Sequence, residues 1–304
     1  MDDYTRRTRS WLEDIYAGPP PGFGEYVPHS PVRGLSLRSQ YIGTYAHSYA
    51  ILRRLAKYEF RSLLDVGAGE GFLGRIIADA FGTQVCAVDL ALNACRRARS
   101  LVANVACAEA PCLPFRDQSV DLVLSVNTLE HVPNIERAVR ELRRIARRLV
   151  VIALPHRRLG EPREPATEPH AHVSLLTRME MQIVFGREAR IYPSLSRIVR
   201  PLYALVAEDD VRNQARFRWL RHPPWNLLYA QARAARRVLP GPRMLRWLCH
   251  LEYLAAKLFP SWTYESIAII ELPGVRYASK PVPSRVLLDT LLRPRLPVIL
   301  DAGG

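Results

Sequence analysis

Between residues 62 and 154 the chain alternates short apolar runs with segments of helical spacing, and this restricts the fold more than any other feature. The runs at 62–66, 85–88, 105–108, 120–126 and 149–154 are almost continuously apolar. Strands that alternate polar and apolar residues bury one face, whereas strands without alternation are covered on both. Between them lie helical segments at 72–81 and 91–101, and one in which Ile135, Ala138, Val139, Leu142, Ile145 and Ala146 repeat along one side. Strands joined through helices pair in parallel by right-handed crossovers. The expected fold class is therefore α/β, a doubly wound, mostly parallel, Rossmann-like sheet. A helix at 175–185 and strands at 189–192 and 264–272 extend it to seven strands, with a helical insertion before the last one.

This pattern divides the chain into an N-terminal helical cap (1–60), a ligand-binding core (61–193), a basic helical insertion (194–262), the last core strand (263–280) and a tail (281–304). The cap holds an amphipathic stretch around Trp11, Leu12, Ile15 and Tyr16, then a Pro- and Gly-rich linker at 18–24. A helix at 37–57 follows, with Tyr41, Tyr45, Tyr49, Leu52 and Leu55 on roughly one face. The tail is punctuated by proline and fits no pattern.

The first strand ends in Gly67-Ala68-Gly69-Glu70-Gly71, immediately before a helix. Lacking Cβ atoms, such a turn can bring its backbone against a ligand and adopt positive φ. Taken alone, Gly-x-Gly-x-Gly does not separate one nucleotide-like ligand from another. Asp89, 24 residues beyond Asp65, ends the second strand, where a carboxylate can accept both hydroxyls of a ribose. Glu109 ends the third strand beside the same crevice. A dinucleotide fingerprint would need glycine where Phe72 stands, which argues against a pyrophosphate ligand.

Five segments together resemble the successive motifs of the class I S-adenosylmethionine-dependent methyltransferases. They are Leu64-Asp65-Val66-Gly67-Ala68-Gly69-Glu70-Gly71, Val88-Asp89, Glu109-Ala110-Pro111-Cys112-Leu113-Pro114-Phe115, Asp117-Gln118-Ser119-Val120-Asp121 and Leu129-Glu130-His131-Val132-Pro133-Asn134. In order and spacing they are similar to the small-molecule branch that includes ubiquinone-biosynthesis-type enzymes, over roughly residues 45–190. The resemblance implies S-adenosylmethionine as cofactor. Asp65 with Gly67, Ala68, Gly69 and Gly71 would meet its methionine end, Asp89 its ribose, and Glu109 with the Ala110 backbone its adenine edge. Leu129 to Val132 would form the floor beside the methyl donor. Leu90 and Asn127 complete the cofactor-facing set, and Tyr41 either caps the cofactor or packs in the core. The adenine position is more often Asp, and Glu109 reaches one carbon further. Asp117 and Asp121 read as turn and strand-start residues rather than ligands.

Methyl transfer needs alignment and exclusion of water, and a general base only for some acceptors. The candidates for that base are His131, in the floor motif, and His156 and His172, which with His170 follow the fifth strand. His170-x-His172 lacks an obvious third ligand, so no metal is expected. Cysteines are odd in number, without Cys-x-x-Cys, and there is no apolar leader; this reads as a cytoplasmic protein with reduced thiols.

The net charge of +14 favours an anionic partner or reflects an arginine-rich composition. Residues 196–262 carry twelve Arg or Lys against four acids, and four of the five tryptophans. Met244, Trp247, Leu248, Leu251, Leu254 and Leu258 form an apolar stripe, and Arg233, Arg236 and Arg237 a basic face. That insertion reads first as a lid over a small hydrophobic acceptor, such as a lipid, quinone-like molecule or secondary metabolite. Its alternative is a peripheral membrane contact, which would make the protein membrane-associated. Nucleic acid is the weaker partner, since Ser125-Val126-Asn127-Thr128 departs from the Asn-Pro-Pro-Tyr type of sequence. An RNA methyltransferase and a non-catalytic cofactor-binding scaffold remain the alternatives, and the sequence leaves the oligomeric state open.

Overall fold

The computed structural model describes residues 1–18, 31, 35–161, 167–208, 210, 212, 215–236 and 241–293. Seven strands form one sheet: β1 (Ser62–Val66), β2 (Gln84–Asp89), β3 (Asn104–Cys107), β4 (Val120–Val126), β5 (Ala146–Pro155), β6 (Arg190–Ser196) and β7 (Thr263–Glu271). Their order is β3-β2-β1-β4-β5-β7-β6. The first five pair in parallel, and β7 runs antiparallel between β5 and β6. The chain reverses direction across the sheet between β1 and β4, and in open sheets of this kind ligands sit at the strand ends beside that reversal.

Among the described residues, ten helices dress the sheet: α1 (Asp3–Ala17), α2 (Ser39–Leu55), α3 (Phe72–Phe81), α4 (Leu92–Ala98), α5 (Ile135–Ile145), α6 (Arg178–Val184), α7 (Arg200–Val206), α8 (Trp225–Arg236), α9 (Gly241–Leu258) and α10 (Ser284–Leu291). Successive strand residues serve opposite layers, as a pleated backbone requires. Leu63, Leu122, Leu124, Val151 and Ile269 bury themselves against α2, α3, α9 and α10. Leu64, Val123, Val150, Ile152 and Ile270 face α5 and α6. Helix α2 is the hub of the first layer, with Tyr41, Tyr45, Tyr49, Leu52 and Leu55 all buried.

Local signals explain where elements stop. Helix α3 opens from Gly71 and closes at Gly82, both left-handed. Asn134 caps α5 through the Arg137 amide, and a capping box between Thr177 and Glu180 starts α6 two or three residues later than its apolar pattern suggests. No helix joins β3 to β4 among the described residues; Pro111 and Pro114 stand in that link, and proline interrupts helical hydrogen bonding. The tail that fitted no pattern contains α10, which begins directly after Pro283 and packs on α2 and α3. Its eight residues offer only two turns of periodicity. Residues 19–24 of the linker and residues 294–304 of the tail lie outside the described residues.

The insertion corrects one expectation. Its stripe does not form a single face of α9: Leu248 is buried, with Leu245, Cys249, Ala255 and Ala256, where α9 packs on α2 and β6. Trp247, Leu254 and Leu258 point to solvent. A helix packed by small residues on one side does not need its large ones there. The side chains of Arg233 and Arg236, and all of Arg237, lie outside the described residues.

Candidate active site

The β1–α3 turn is held open by its own backbone. Gly67, Gly69 and Gly71 have φ of 75°, 54° and 77°. A Cβ on Gly67 would lie 2.0 Å from Thr128 Oγ1, so only glycine fits there. The Gly67 and Ala68 amides donate to the Val88 carbonyl at 2.8 and 3.0 Å, fastening the turn to the end of β2. Gly69 N–H donates to Asp89 Oδ2 at 2.8 Å, and Ala91 N–H to Asp89 Oδ1 at 3.0 Å. Asp89 thus shapes the turn while each of its oxygens keeps a lone pair for a further donor. Burial pushes the Asp89 carboxyl upward, against the amides that lower it. Burial likewise pushes Asp65 up to about 7, opposed by the Gly74 amide and reinforced by Asp89.

These groups line one cavity of about 1050 Å³. That is the upper end of the roughly 300–1,000 Å³ usual for small-molecule sites, enough for a cofactor and a second ligand. The structure brings Tyr41, Asp65, Gly67, Ala68, Gly69, Asp89, Leu90, Glu109, Ala110, Asn127, His131 and His172 to this cavity. Asn127 adopts φ of 50°, left-handed and uncommon for a residue with a side chain, while its amide donates to the Ala153 carbonyl at 2.8 Å.

Two sequence-predicted residues lie elsewhere. Gly71 is absent from the lining; its Cα faces Val102 and Ala98, where a Cβ would find contacts of 3.2 and 3.4 Å. His156 is also absent from the lining, paired instead through Nδ1 with Ser266 Oγ at 3.1 Å, and burial depresses it to about 4. Asp121 takes the Arg61 amide and the Arg147 guanidinium, a structural role as expected.

In the turn before α5, His131 stacks on His170 with ring centroids 3.6 Å apart. Its Nδ1 lies 3.1 Å from the Ala171 carbonyl, which fixes the proton on Nδ1 and leaves Nε2 as the acceptor. That nitrogen is 3.8 Å from Glu130 Oε1. Burial depresses His131 to about 3 and pushes the wholly buried Glu130 up to about 8, so near neutrality a protonated Glu130 carboxyl faces the neutral Nε2 acceptor. Glu130, His131 and His172 place one ligand-type atom each within 4.8 Å of one another. His172 therefore has the companions that the sequence spacing did not reveal, because Glu130 arrives from a turn some forty residues away.

Several lining residues escape the sequence reading. Helix α1 covers the cavity with Trp11, Leu12 and Tyr16. It is pinned by Glu13, whose carboxylate accepts the Leu92 and Asn93 amides at the start of α4, and by Tyr4, whose hydroxyl donates to the Ala171 carbonyl. At the far end His47 of α2 places Nδ1 2.9 Å from Glu265 Oε2 and 3.0 Å from Ser194 Oγ. Its Nε2 is buried without a partner. Nothing in the local sequence marks His47 or Glu265, which lie more than 200 residues apart.

Residues 64–153 match the family described as a methyltransferase domain. This segment is a class I S-adenosylmethionine-dependent methyltransferase domain. A malonyl-[acyl-carrier protein] O-methyltransferase of Geobacter sulfurreducens is 39% identical to the chain over 89 residues, 27% of this chain and 33% of that protein. The protein of the same name from Methylococcus capsulatus is 29% identical over 184 residues, 53% of this chain and 67% of its own. A probable tocopherol O-methyltransferase of Oryza sativa subsp. japonica is 31% identical over 130 residues, 39% and 35% of the two chains. The chain spans about a third of the length of two of these relatives. The methyltransferase domain takes S-adenosylmethionine as its cofactor, and the site fits it: open glycine backbone, a carboxylate at the end of β2, and the buried Asp65 carboxyl in one cavity.

Proposed function

We propose that the chain transfers a methyl group from S-adenosylmethionine to a small, largely apolar acceptor. One observation carries this reading. The cavity is continuous from the glycine turn, past His131, to a far end walled by Leu195, Tyr203, Tyr264 and His47. When bound, the cofactor supplies an electrophilic methyl on a sulfonium whose positive charge is lost on transfer.

Under this reading Asp89 accepts the ribose hydroxyls, Glu109 and the Ala110 amide meet the adenine edge, and the glycine turn with Asp65 holds the methionine end. Helices α1 and α2 exclude water and align the acceptor, which is most of what the displacement requires. For a hydroxyl acceptor His47 is placed to take the proton. With Nδ1 donating to Ser194 Oγ, Nε2 is the base. The names of the O-methyltransferase relatives agree with an oxygen acceptor.

The test incubates the protein with methyl-labelled S-adenosylmethionine and host extract, then counts label in organic, aqueous, nucleic-acid and protein fractions. Label in the organic fraction is the expected result. Label in nucleic acid overturns the acceptor class, and cofactor binding without any label supports a non-catalytic scaffold.

A further inference from the structure

Helix α9 and the turn after it present a surface that the fold does not use. Trp247, Leu254, Leu258 and Trp262 each expose more than half of their area, and Phe259 nearly half. The first three repeat at helical spacing along the outer side of α9. Ile198 and Met179, also exposed, each follow a residue tied to this turn: the Arg197 amide donates to the Trp262 carbonyl, and the Arg178 guanidinium to that of Pro260. Scattered exposed apolar residues need no explanation, but a connected group with two tryptophans does.

The exposed charges of α9 itself are cationic. Arg243 and Lys257 are exposed on α9, and Arg246 pairs with Asp289. The helix has a single acid, Glu252, which is buried and accepts the Ser196 amide and the Tyr203 hydroxyl. No helix among the described residues is long and apolar enough to cross a membrane. An amphipathic helix with tryptophan on its apolar side and cations at its margin suits the headgroup level of a bilayer. Two copies of this chain meeting here would oppose cation to cation. A nucleic acid would cover the Leu254, Leu258 and Phe259 side chains without gain for its phosphates.

We propose that the outer side of α9, with the turn at Pro260–Trp262, docks on an anionic phospholipid bilayer. The docking does not depend on the chemistry in the cavity. Trp262 is two residues from Tyr264 in the cavity wall, so the docked surface lies next in the chain to the far end of the cavity; delivery of a lipid-soluble acceptor there is a consequence that rests on the methyl-transfer reading.

The experiment is flotation of the full chain with vesicles of phosphatidylcholine, with and without about one-third phosphatidylglycerol. Binding to the anionic vesicles is expected, about tenfold weaker on pure phosphatidylcholine and reduced by salt. Trp247→Ala combined with Leu258→Ser should weaken it by about tenfold or more with an unchanged thermal melt, while Leu159→Ser, on another exposed apolar residue, leaves it intact. Quenching of the wild-type tryptophans by brominated lipid gives a readout that needs no variant. Absence of flotation and quenching overturns the proposal, as do flotation indifferent to the double variant and tryptophan-dependent binding to single-stranded RNA in place of vesicles. Vesicle binding without label transfer in the extract assay would sink the methyltransferase reading alone.

Discussion

The two ends of the cavity are built from different materials. At the glycine-turn end the chain contributes backbone: Gly67, Ala68 and Gly69 amides tied to Val88 and Asp89, with the acids standing on neighbouring parallel strands. At the far end it contributes side chains from α2, β6 and β7, where His47, Ser194 and Glu265 meet from remote positions. A backbone site tolerates no change of residue type where φ is positive but shares its load among many amides. A side-chain site can be edited without disturbing the strands that carry it, which suits the proposed acceptor end.

The contrast predicts its largest effect at Gly67. Gly67→Ala puts a Cβ against Thr128 and strains a left-handed residue, at about 1–3 kcal/mol for the backbone conformation alone. Cofactor binding should be lost in calorimetry, with a lower melting temperature. Retention of wild-type affinity would mean that the turn is not the cofactor cradle. His47→Gln should leave cofactor affinity unchanged yet lower kcat about 10²–10⁴-fold for a hydroxyl acceptor, as expected for a lost general base. Equal losses in cofactor affinity and kcat would erase the distinction between the two ends.

Asp89→Ala comes next. Under the proposed reading it removes two charge-assisted hydrogen bonds to the ribose, each about 1.5–3 kcal/mol, and it orphans the Gly69 amide. Titration calorimetry should show affinity at least tenfold weaker. Asp65 offers a graded test of the same end. Burial holds its carboxyl at about 7, and the cofactor's ammonium would favour the ionised form. Affinity should therefore rise with pH up to about 7 and then level, with proton release on binding below that point. A flat profile, identical in Asp65→Asn, would remove Asp65 from the cofactor site.

Much of the glycine-turn end could be read from residues alone, because positive φ and strand-end carboxylates leave marks in sequence at fixed offsets. The succession of seven strands along the chain followed from the sequence pattern, though not their order in the sheet, and the structure starts β5 three residues earlier and ends β6 four residues later. The far end could not be read that way. His47 lies inside a helix whose tyrosines give a packing pattern, and its partner Glu265 sits in a strand more than 200 residues later. The exposed side of α9 was hidden for a related reason: a stripe at helical spacing looks the same whether it faces a core or solvent, and only the small residues of the opposite side decide.

The smallest effect concerns Glu130, midway between the two ends. Its carboxyl is raised from 4.5 to about 8 by burial, with Glu265 adding to the shift, and its Oε2 has no partner. A raised carboxyl gives the folded state a stabilising contribution that is complete below about 4.5 and is lost as pH climbs through about 8, since the folded protein must then bury an ionised group that the unfolded chain exposes. Glutamine copies the neutral acid and cannot ionise. Melting curves of Glu130→Gln should match the wild type near pH 4.5 and exceed it by a few degrees above pH 8. A variant that is less stable at the alkaline end would show that Glu130 is held ionised by a cation or a hydrogen-bond donor, and the floor beside the methyl donor would then belong electrostatically to the side-chain end of the cavity rather than to the glycine turn.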